Sequence, residues 1–302
     1  MITVFTPTYN RKNTLIRLYN SLLNQKFTDF EWLIVDDGST DDTNSLIDEF
    51  KAESKIEINY YKIENGGKQN AFNFAVNKAK GDYFICVDSD DYLVDNVLNK
   101  VEELISQIKN DENVAGIGFL VKKHGTEEIV GTRFPEDRMI ETYVDIYHKF
   151  NVTGDKQLTF KTKILREYPF PIIEGERFIP EATVFNRISK KYKMLFVNIE
   201  LTYAEYLDTG YSSNYFNLIK KNPKSNMLYL KELYEIEPSL YNVAAYDLFG
   251  IYAKMKFRDI IHTHPSKFKA FLMYIPAYIK YIQKGKWFIN WKNYYFLDIH
   301  LK

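Results

Sequence analysis

Clustered carboxylates follow a short apolar segment in the first third of the chain. The segment at residues 83–87 ends directly at Asp88-Ser89-Asp90-Asp91. Carboxylates this close repel one another unless they share a cation. Oxygen ligands suit Mg²⁺ or Mn²⁺, and these ions usually complete their coordination with substrate phosphates. The cluster therefore predicts a site where a divalent metal holds a diphosphate group.

Strands and helices must alternate around this cluster to bring it to the edge of a sheet. Apolar runs predict strands at residues 2–5, 32–35, 56–63 and 83–87. Helical apolar spacing follows each run, so we predict an α/β fold with a mostly parallel central sheet and helices on both faces. Ligands of such sheets bind beyond the carboxyl ends of the strands. Pro7, Asp37 and Gly66-Gly67 follow predicted strands, as the acidic cluster does, and we expect them to form one site with it.

The second half of the chain has a mixed pattern. It predicts a hairpin around residues 119–130, a helix that opens at Pro180 and a strand at residues 194–201. Beyond residue 210 the apolar spacing is helical, at residues 226–235, 244–257 and 267–283. We therefore divide the chain into a Rossmann-like catalytic domain at residues 1–210 and a helical region at residues 211–302.

The bulk composition excludes several classes of protein. Forty basic residues balance forty acidic ones among 302, which argues against nucleic acid as a partner. Cys86 is the only cysteine, which indicates a reducing compartment. The N-terminus lacks a basic and apolar leader, and no apolar run approaches the roughly 18 residues of a spanning helix. We expect a cytoplasmic protein.

Four motifs occur in the order and spacing of the family 2 glycosyltransferases. They are Thr6-Pro7-Thr8-Tyr9-Asn10-Arg11, Val35-Asp36-Asp37-Gly38-Ser39-Thr40-Asp41, Asn65-Gly66-Gly67-Lys68 and Val87-Asp88-Ser89-Asp90-Asp91. The chain resembles this family over roughly its first 120 residues. The resemblance implies a GT-A fold, a nucleotide-diphosphate sugar as donor with a UDP-sugar favoured, a divalent metal (Mn²⁺ or Mg²⁺) and inversion at the anomeric carbon.

The resemblance also implies roles for individual residues. Asp88 and Asp90 form an Asp-x-Asp pattern whose last carboxylate holds the metal, and Asp88 and Ser89 would also contact the donor. The developing charge of a diphosphate leaving group needs such a cation. The alternative is a plain acidic surface turn. Asp91 is expected to support the loop rather than to bind the ion.

Four further residues are predicted to bind the nucleotide sugar. The family pattern gives Asp37 a hydrogen bond to the base or ribose, although a carboxylate there is also favourable beside a helix N-terminus. Pro7 and Tyr9 would form the other wall of the base pocket, unless they serve loop packing alone. Lys68 opens a helix after two glycines and would face the donor phosphates, unless it is simply solvated.

An inverting transfer needs a carboxylate that takes a proton from the acceptor hydroxyl. Three candidates, Glu174, Glu176 and Glu181, precede the helix that opens at Pro180. Related bacterial enzymes carry a base at a comparable position, and Glu181 is our first choice, with Glu176 and Glu174 as alternatives. Glu181 also has a purely structural interpretation, as a first-turn residue stabilised by the helix dipole.

The tail has two interpretations of equal weight. Residues 254–302 contain ten Lys or Arg against two Asp or Glu. An apolar stripe with lysines beside it comprises Phe268, Phe271, Leu272, Ile275, Ile279 and Ile282. This stripe suits the anionic inner face of a cell membrane, where a lipid-linked acceptor would lie, or it packs on the catalytic domain. Pro276 is expected to interrupt the helix in either case.

These features predict an inverting, metal-dependent transferase that moves a sugar to a glycan or lipid-linked acceptor in cell-surface polysaccharide biosynthesis. Two alternatives share parts of the pattern. A sugar nucleotidyltransferase would carry a Gly-rich loop with Arg and Lys after its first strand, where this chain has residues 6–10 without glycine. A non-catalytic nucleotide-sugar-binding protein would not need a base.

Overall fold

The computed structural model describes residues 1–205 and 214–283. Its strands are β1 Ile2–Thr8, β2 Phe30–Asp36, β3 Glu57–Lys62, β4 Tyr83–Cys86, β5 Tyr92–Leu93, β6 Val114–Lys123, β7 Arg138–Glu141, β8 Lys156–Lys161 and β9 Lys193–Ala204. The helices of the first part are α1 Lys12–Leu23, α2 Thr43–Glu53, α3 Lys68–Lys78, α4 Val97–Ile108, α5 Tyr143–His148, α6 Thr162–Glu167 and α7 Ala182–Ser189. After the gap follow α8 Tyr215–Lys221, α9 Pro223–Ile236, α10 Leu240–Tyr252, α11 Phe257–Thr263 and α12 Lys267–Ile282.

All the described strands belong to one mixed sheet. Its order is β3-β2-β1-β4-β8-β6-β9-β5, and β7 pairs with β9. The first four strands in this order are parallel, whereas β8 runs antiparallel to both β4 and β6. The predicted α/β fold is confirmed. The parallel strands end at the same edge, which is the edge that carries the acidic cluster.

Alternating side chains of the central strands divide the core between the two faces of the sheet. Ile2 and Val4 of β1 contribute to one apolar cluster, and Phe5 contributes to the other. All seven residues of β1 are buried because helices cover both faces. This burial fixes the register of β1 and hence the position of the loop that follows it.

The helices after the gap share a core with one face of the sheet. Leu230 of α9 and Leu248 of α10 belong to the same apolar cluster as Phe5. The helix predicted at residues 244–257 is α10, which ends at Tyr252 because the chain turns there, with Lys254 at a φ of 57°, before α11 begins at Phe257. The division that we predicted at residue 210 lies outside the described residues and stays a prediction.

Helix α12 differs from the sequence-based expectation at Pro276. It continues through Pro276, so the predicted interruption is wrong. The proline removes the backbone hydrogen bond to the carbonyl of Leu272, a residue that is itself exposed. The apolar stripe is exposed and does not pack on the described part of the catalytic domain. Of the described helices, none combines the length and the apolar character that crossing a bilayer requires.

Candidate active site

The acidic cluster lies where β4 leaves the sheet. The amide of Val87 still donates to the carbonyl of Phe5 on the neighbouring β1, at 2.8 Å. One strand further along, the amide of Asp37 donates to the carbonyl of Thr8 at 2.9 Å. The loops after β1, β2 and β4 therefore meet at one edge, as the strand order requires. Tertiary structure adds α3 and α7 to the same edge.

Lys68 joins the acidic cluster to the candidate base. Its ammonium lies 2.7 Å from a carboxylate oxygen of Asp88 and 2.7 Å from Oε1 of Glu181. Burial lowers the pKa of Lys68, but the charges of Asp88 and Glu181 outweigh it and hold that pKa well above its ordinary value. Three residues predicted from separate motifs are thus in direct contact. Glu181 is the N-cap residue of α7, at a fixed position on the cleft wall.

The rest of the acidic cluster is half-buried and crowded. Burial raises the pKa of Asp90, and the nearby charge of Asp88 raises it further. The pKa of Asp91 is raised well above its ordinary value, by burial first and then by Asp88 and Asp90. Asp91 accepts a hydrogen bond from the amide of Glu205 at 3.2 Å, which matches its expected supporting role.

The residues present fit a divalent ion that is shared with a substrate. Asp88 and Asp90 are close enough to repel each other, and a cation between them would relieve that repulsion. Within residues 1–205 and 214–283, no three His, Cys, Asp or Glu side chains converge to hold a metal by themselves. The protein therefore offers two carboxylates, and phosphate oxygens of a donor would have to complete the coordination.

Asp37 holds the loop that carries Lys68. Its two carboxylate oxygens accept hydrogen bonds from the amides of Gly66 and Gly67, at 2.7 and 2.9 Å. Gly67 has a φ of 92°, and a Cβ there would lie 1.9 Å from the carbonyl oxygen of Arg177. Only glycine fits at this crossing. The structure thus gives Asp37 a positioning contact that its sequence motif did not predict.

The remaining residues of the predicted nucleotide pocket lie at the same edge. Pro7 is buried in β1 and pairs in register with Val35 of β2. Tyr9 follows it and is 48% exposed, so its ring is accessible to a ligand. Ser89 is buried beside the acidic residues.

Comparison with known proteins identifies the fold and the family. A profile described as glycosyl transferase family 2 matches residues 3–168, more than half of the chain. The chain belongs to this family. Membership of this family argues against the sugar nucleotidyltransferase that the sequence left as an alternative.

Sequence relatives of this glycosyltransferase are themselves named as bacterial glycosyltransferases. The chain is 30% identical over 145 residues to poly(ribitol-phosphate) beta-N-acetylglucosaminyltransferase TarS of Staphylococcus aureus, covering 47% of this chain and 24% of TarS. It is 27% identical over 221 residues to glycosyltransferase GlyG of Streptococcus pneumoniae, covering 67% and 69%. A Campylobacter jejuni GalNAc(5)-diNAcBac-PP-undecaprenol beta-1,3-glucosyltransferase is 28% identical over 199 residues, covering 63% and 60%. The chain thus spans about a quarter of TarS.

Solved structures confirm the GT-A fold. A crystal structure of a TarS fragment from S. aureus superposes with a TM-score of 0.60 at 17% identity, covering 95% of this chain and 92% of the fragment. The Pyrobaculum calidifontis mannosyltransferase PcManGT, in complex with GDP-Man and Mn²⁺, superposes with a TM-score of 0.54 at 16% identity, covering 94% and 88%.

The other two candidate bases of this glycosyltransferase lie away from Lys68. The carboxylate of Glu176 accepts hydrogen bonds from the amides of Lys224 and Ser225, at 2.8 and 2.6 Å. These are the first free amides of α9, so Glu176 acts as a cap for that helix. Glu174 is exposed in the loop.

Two polar residues that the sequence analysis missed hold the acidic loop. Arg17 of α1 donates to the carbonyl of Asp90 at 2.5 Å and to Glu205 at 2.6 Å. Gln157 of β8 donates to the carbonyl of Cys86 at 2.6 Å. Neither belongs to a recognisable motif, because each is a single polar residue in an otherwise ordinary helix or strand.

A cavity of about 270 Å³ adjoins the Lys68 contacts. Lys68, Asp88 and Glu181 line it together with aromatic side chains from the sheet and from α8, including Phe160 and Tyr215. Aromatic walls beside charged groups suit a molecule with both an apolar face and hydroxyl groups, as a sugar ring has.

Proposed function

We propose that this family 2 glycosyltransferase is an inverting enzyme that moves a sugar from a nucleoside diphosphate to an acceptor hydroxyl. One observation supports the proposal most: Lys68 brings Asp88 of the acidic cluster and Glu181 within 2.7 Å of the same ammonium group. A diphosphate bound at the cluster and a proton acceptor at Glu181 would then flank one reacting carbon. Such a pair is what an inverting displacement requires.

In the proposed reaction Glu181 is the general base. The acceptor oxygen forms a bond to the anomeric carbon, the bond from that carbon to the diphosphate oxygen breaks on the opposite side, and the hydroxyl proton passes to Glu181. Asp90 and Asp88 would hold the metal, which supplies positive charge to the leaving diphosphate. Lys68 would contribute a second positive charge at the same place.

The relatives support the nature of the donor and the product. TarS has been crystallised with UDP and with UDP-GlcNAc. PcManGT was crystallised with Mn²⁺, and so was GalNAc-T7, a further solved structure that superposes with a TM-score of 0.57 at 15% identity. The names of TarS and the C. jejuni relative specify β-linkages and bacterial glycan acceptors, one of them lipid-linked. We therefore propose a UDP-sugar donor, Mn²⁺ or Mg²⁺, and a glycan or lipid-linked acceptor in cell-surface polysaccharide biosynthesis in the cytoplasm.

Substitution of Glu181 tests the base. Glu181→Gln should lower transfer by about 10²- to 10⁴-fold, the usual contribution of a general base. The thermal shift produced by UDP-GlcNAc with Mn²⁺ should persist, because Glu181 is proposed to contact the acceptor hydroxyl and not the donor. Glu174→Gln is the matched control, since it makes the same chemical change in the same loop.

Two results would contradict the proposal. Normal turnover by Glu181→Gln, with loss in Glu174→Gln, would move the base to Glu174. Equal stabilisation by UDP, GDP and dTDP sugars in Mn²⁺ and in EDTA would remove the metal from the mechanism.

A further inference from the structure

Helix α12 exposes a continuous apolar face. The face consists of six large side chains: Phe268, Phe271, Leu272, Ile275, Ile279 and Ile282. Phe268 is 72% exposed and Ile275 is 68% exposed. Single exposed apolar residues are common on protein surfaces, but six on one side of a helix form a patch of the kind that marks an interaction site.

The opposite side of α12 explains why the large residues point outward. The only fully buried side chains of the helix are Ala270 and Ala277, two turns apart on one side. These small residues let α12 approach α10 closely. At 100° per residue the six large side chains lie around the direction opposite to the two alanines. The helix is therefore docked through its small side and offers its large apolar side to a partner.

The charge of the residues around α12 indicates which kind of partner its apolar face binds. Between residues 254 and 283 there are six Lys or Arg, and Asp259 is the only acidic residue. By helical periodicity Lys267 lies on one border of the apolar face, and Lys269 and Lys280 lie on the other. The ammonium of Lys269 is 5.5 Å from the ring centroid of Tyr234 on α9. A second copy of this surface would carry the same positive charge. Residues 284–302 are also positively charged, with four lysines against one aspartate. An anionic bilayer brings the opposite charge along with an apolar interior.

We propose that α12 binds the surface of an anionic membrane. The helix would lie in the plane of the head groups with its apolar face inserted, and the bordering lysines would contact lipid phosphates. Its 16 residues extend about 24 Å, enough for a surface anchor of this kind. The proposal does not depend on the transferase assignment, since membrane binding needs neither donor nor acceptor.

The helix is connected to the candidate active site through packed elements. α12 packs on α10, and α10 packs on α9. The N-terminus of α9 is held by Glu176, five residues before Glu181. A membrane-bound α12 would thus hold the catalytic cleft at a fixed position relative to the lipid surface.

Vesicle sedimentation of the full chain tests the proposal. The protein should sediment with vesicles of phosphatidylcholine and phosphatidylglycerol, remain free with phosphatidylcholine alone, and be released by high salt. Ile279→Glu should weaken binding about tenfold or more, since the change removes an apolar side chain that would insert into the bilayer and adds a negative charge. Ile140→Glu on β7 is the matched control, because Ile140 is 49% exposed and Ile279 is 48% exposed.

Other outcomes would overturn the membrane assignment. Absence of sedimentation with either vesicle would refute it, and equal binding to both would refute the role of charge. If the full chain sediments as a dimer in ultracentrifugation, and Ile279→Glu makes it monomeric without changing vesicle binding, the partner is a second copy. Thermal unfolding of each variant checks that a loss of binding is not a loss of folding.

Discussion

Lys68 is the residue on which the candidate site depends most. A side chain that is only 15% exposed carries the charge that separates two carboxylates from different parts of the chain. Without it, Asp88 and Glu181 would face each other as two like charges. The hypothesis that Lys68 faces the donor phosphates stays a prediction. In this structure its ammonium contacts both Asp88 of the acidic cluster and Glu181, the candidate base.

Replacement of Lys68 by methionine should therefore impair both catalysis and stability. We expect transfer to fall by about 10²-fold, because the base and the acidic cluster lose their common contact. Lys68→Arg keeps the positive charge and should restore part of the rate. A residue that only fills space in the core would not show this rescue. Lys80→Met is the control, since Lys80 forms an exposed ion pair with Glu57 at 2.6 Å. Unchanged kinetics for Lys68→Met would contradict the positioning role.

At the level of elements, the loop between residues 174 and 181 distributes three similar residues to three environments. Glu176 caps α9, Glu181 stands at the N-cap position of α7 with its carboxylate on Lys68, and Glu174 is exposed. The difference arises because Glu176 lies beside the start of α9, whereas the carboxylate of Glu181 lies beside Lys68. The first amides of α9 have no partner within the helix, and the carboxylate of Glu176 satisfies two of them.

Replacement of Glu176, which caps α9, should distinguish its structural role from the role of Glu181 as the candidate base. Glu176→Ala should lower the free energy of unfolding by about 1–2 kcal/mol, since α9 loses two hydrogen bonds at its first turn. Its turnover per folded molecule should stay near that of the unmodified enzyme. Urea unfolding and initial rates measure the two effects separately. A rate that collapses while stability is kept would make Glu176 the base. Glu174→Ala should change neither quantity.

For the molecule as a whole, the helices after the gap contain a buried carboxyl group outside the active site. Asp247 of α10 is fully buried, and neither of its oxygens has a hydrogen-bond partner among the described residues. Burial raises the pKa of Asp247 to about 8. The folded protein thus holds this proton more tightly than the unfolded chain, whose aspartate has its ordinary pKa.

The stability of the protein should consequently fall as the pH rises. The protonated carboxyl favours the folded state fully below about pH 4, and this contribution is lost as the pH rises towards 8. The side chain of Asp247→Asn cannot ionise. Between pH 5 and pH 8 the free energy of unfolding of the unmodified protein should therefore fall by about 2–4 kcal/mol more than that of the variant. Urea unfolding at both pH values measures this difference. Asp259→Asn, at an exposed position on α11, is the control and should leave the pH dependence unchanged. If the free energy of unfolding changes equally with pH in all three proteins, Asp247 is not the group responsible.

Much of the first half could be predicted because its signals are local. The strands at β1, β2, β3 and β4 follow from apolar runs, and the loops after them follow from Gly, Pro and Asp. The sequence analysis missed β8, which reads Lys-Gln-Leu-Thr-Phe-Lys and has no clear turn before it. Only pairing with β4 and β6 makes it a strand. The continuity of α12 through Pro276 was missed because solvent exposure decides the cost of the lost hydrogen bond.

The sequence by itself determined the family, the α/β fold and the residues of the acidic cluster, since motif spacing and periodicity are properties of neighbours along the chain. Tertiary structure decided which glutamate meets Lys68, which one caps a helix, and that the large side of α12 faces outward. Those choices depend on how distant segments pack, because each polar group takes the partner that the fold brings within reach. No local pattern contains that information.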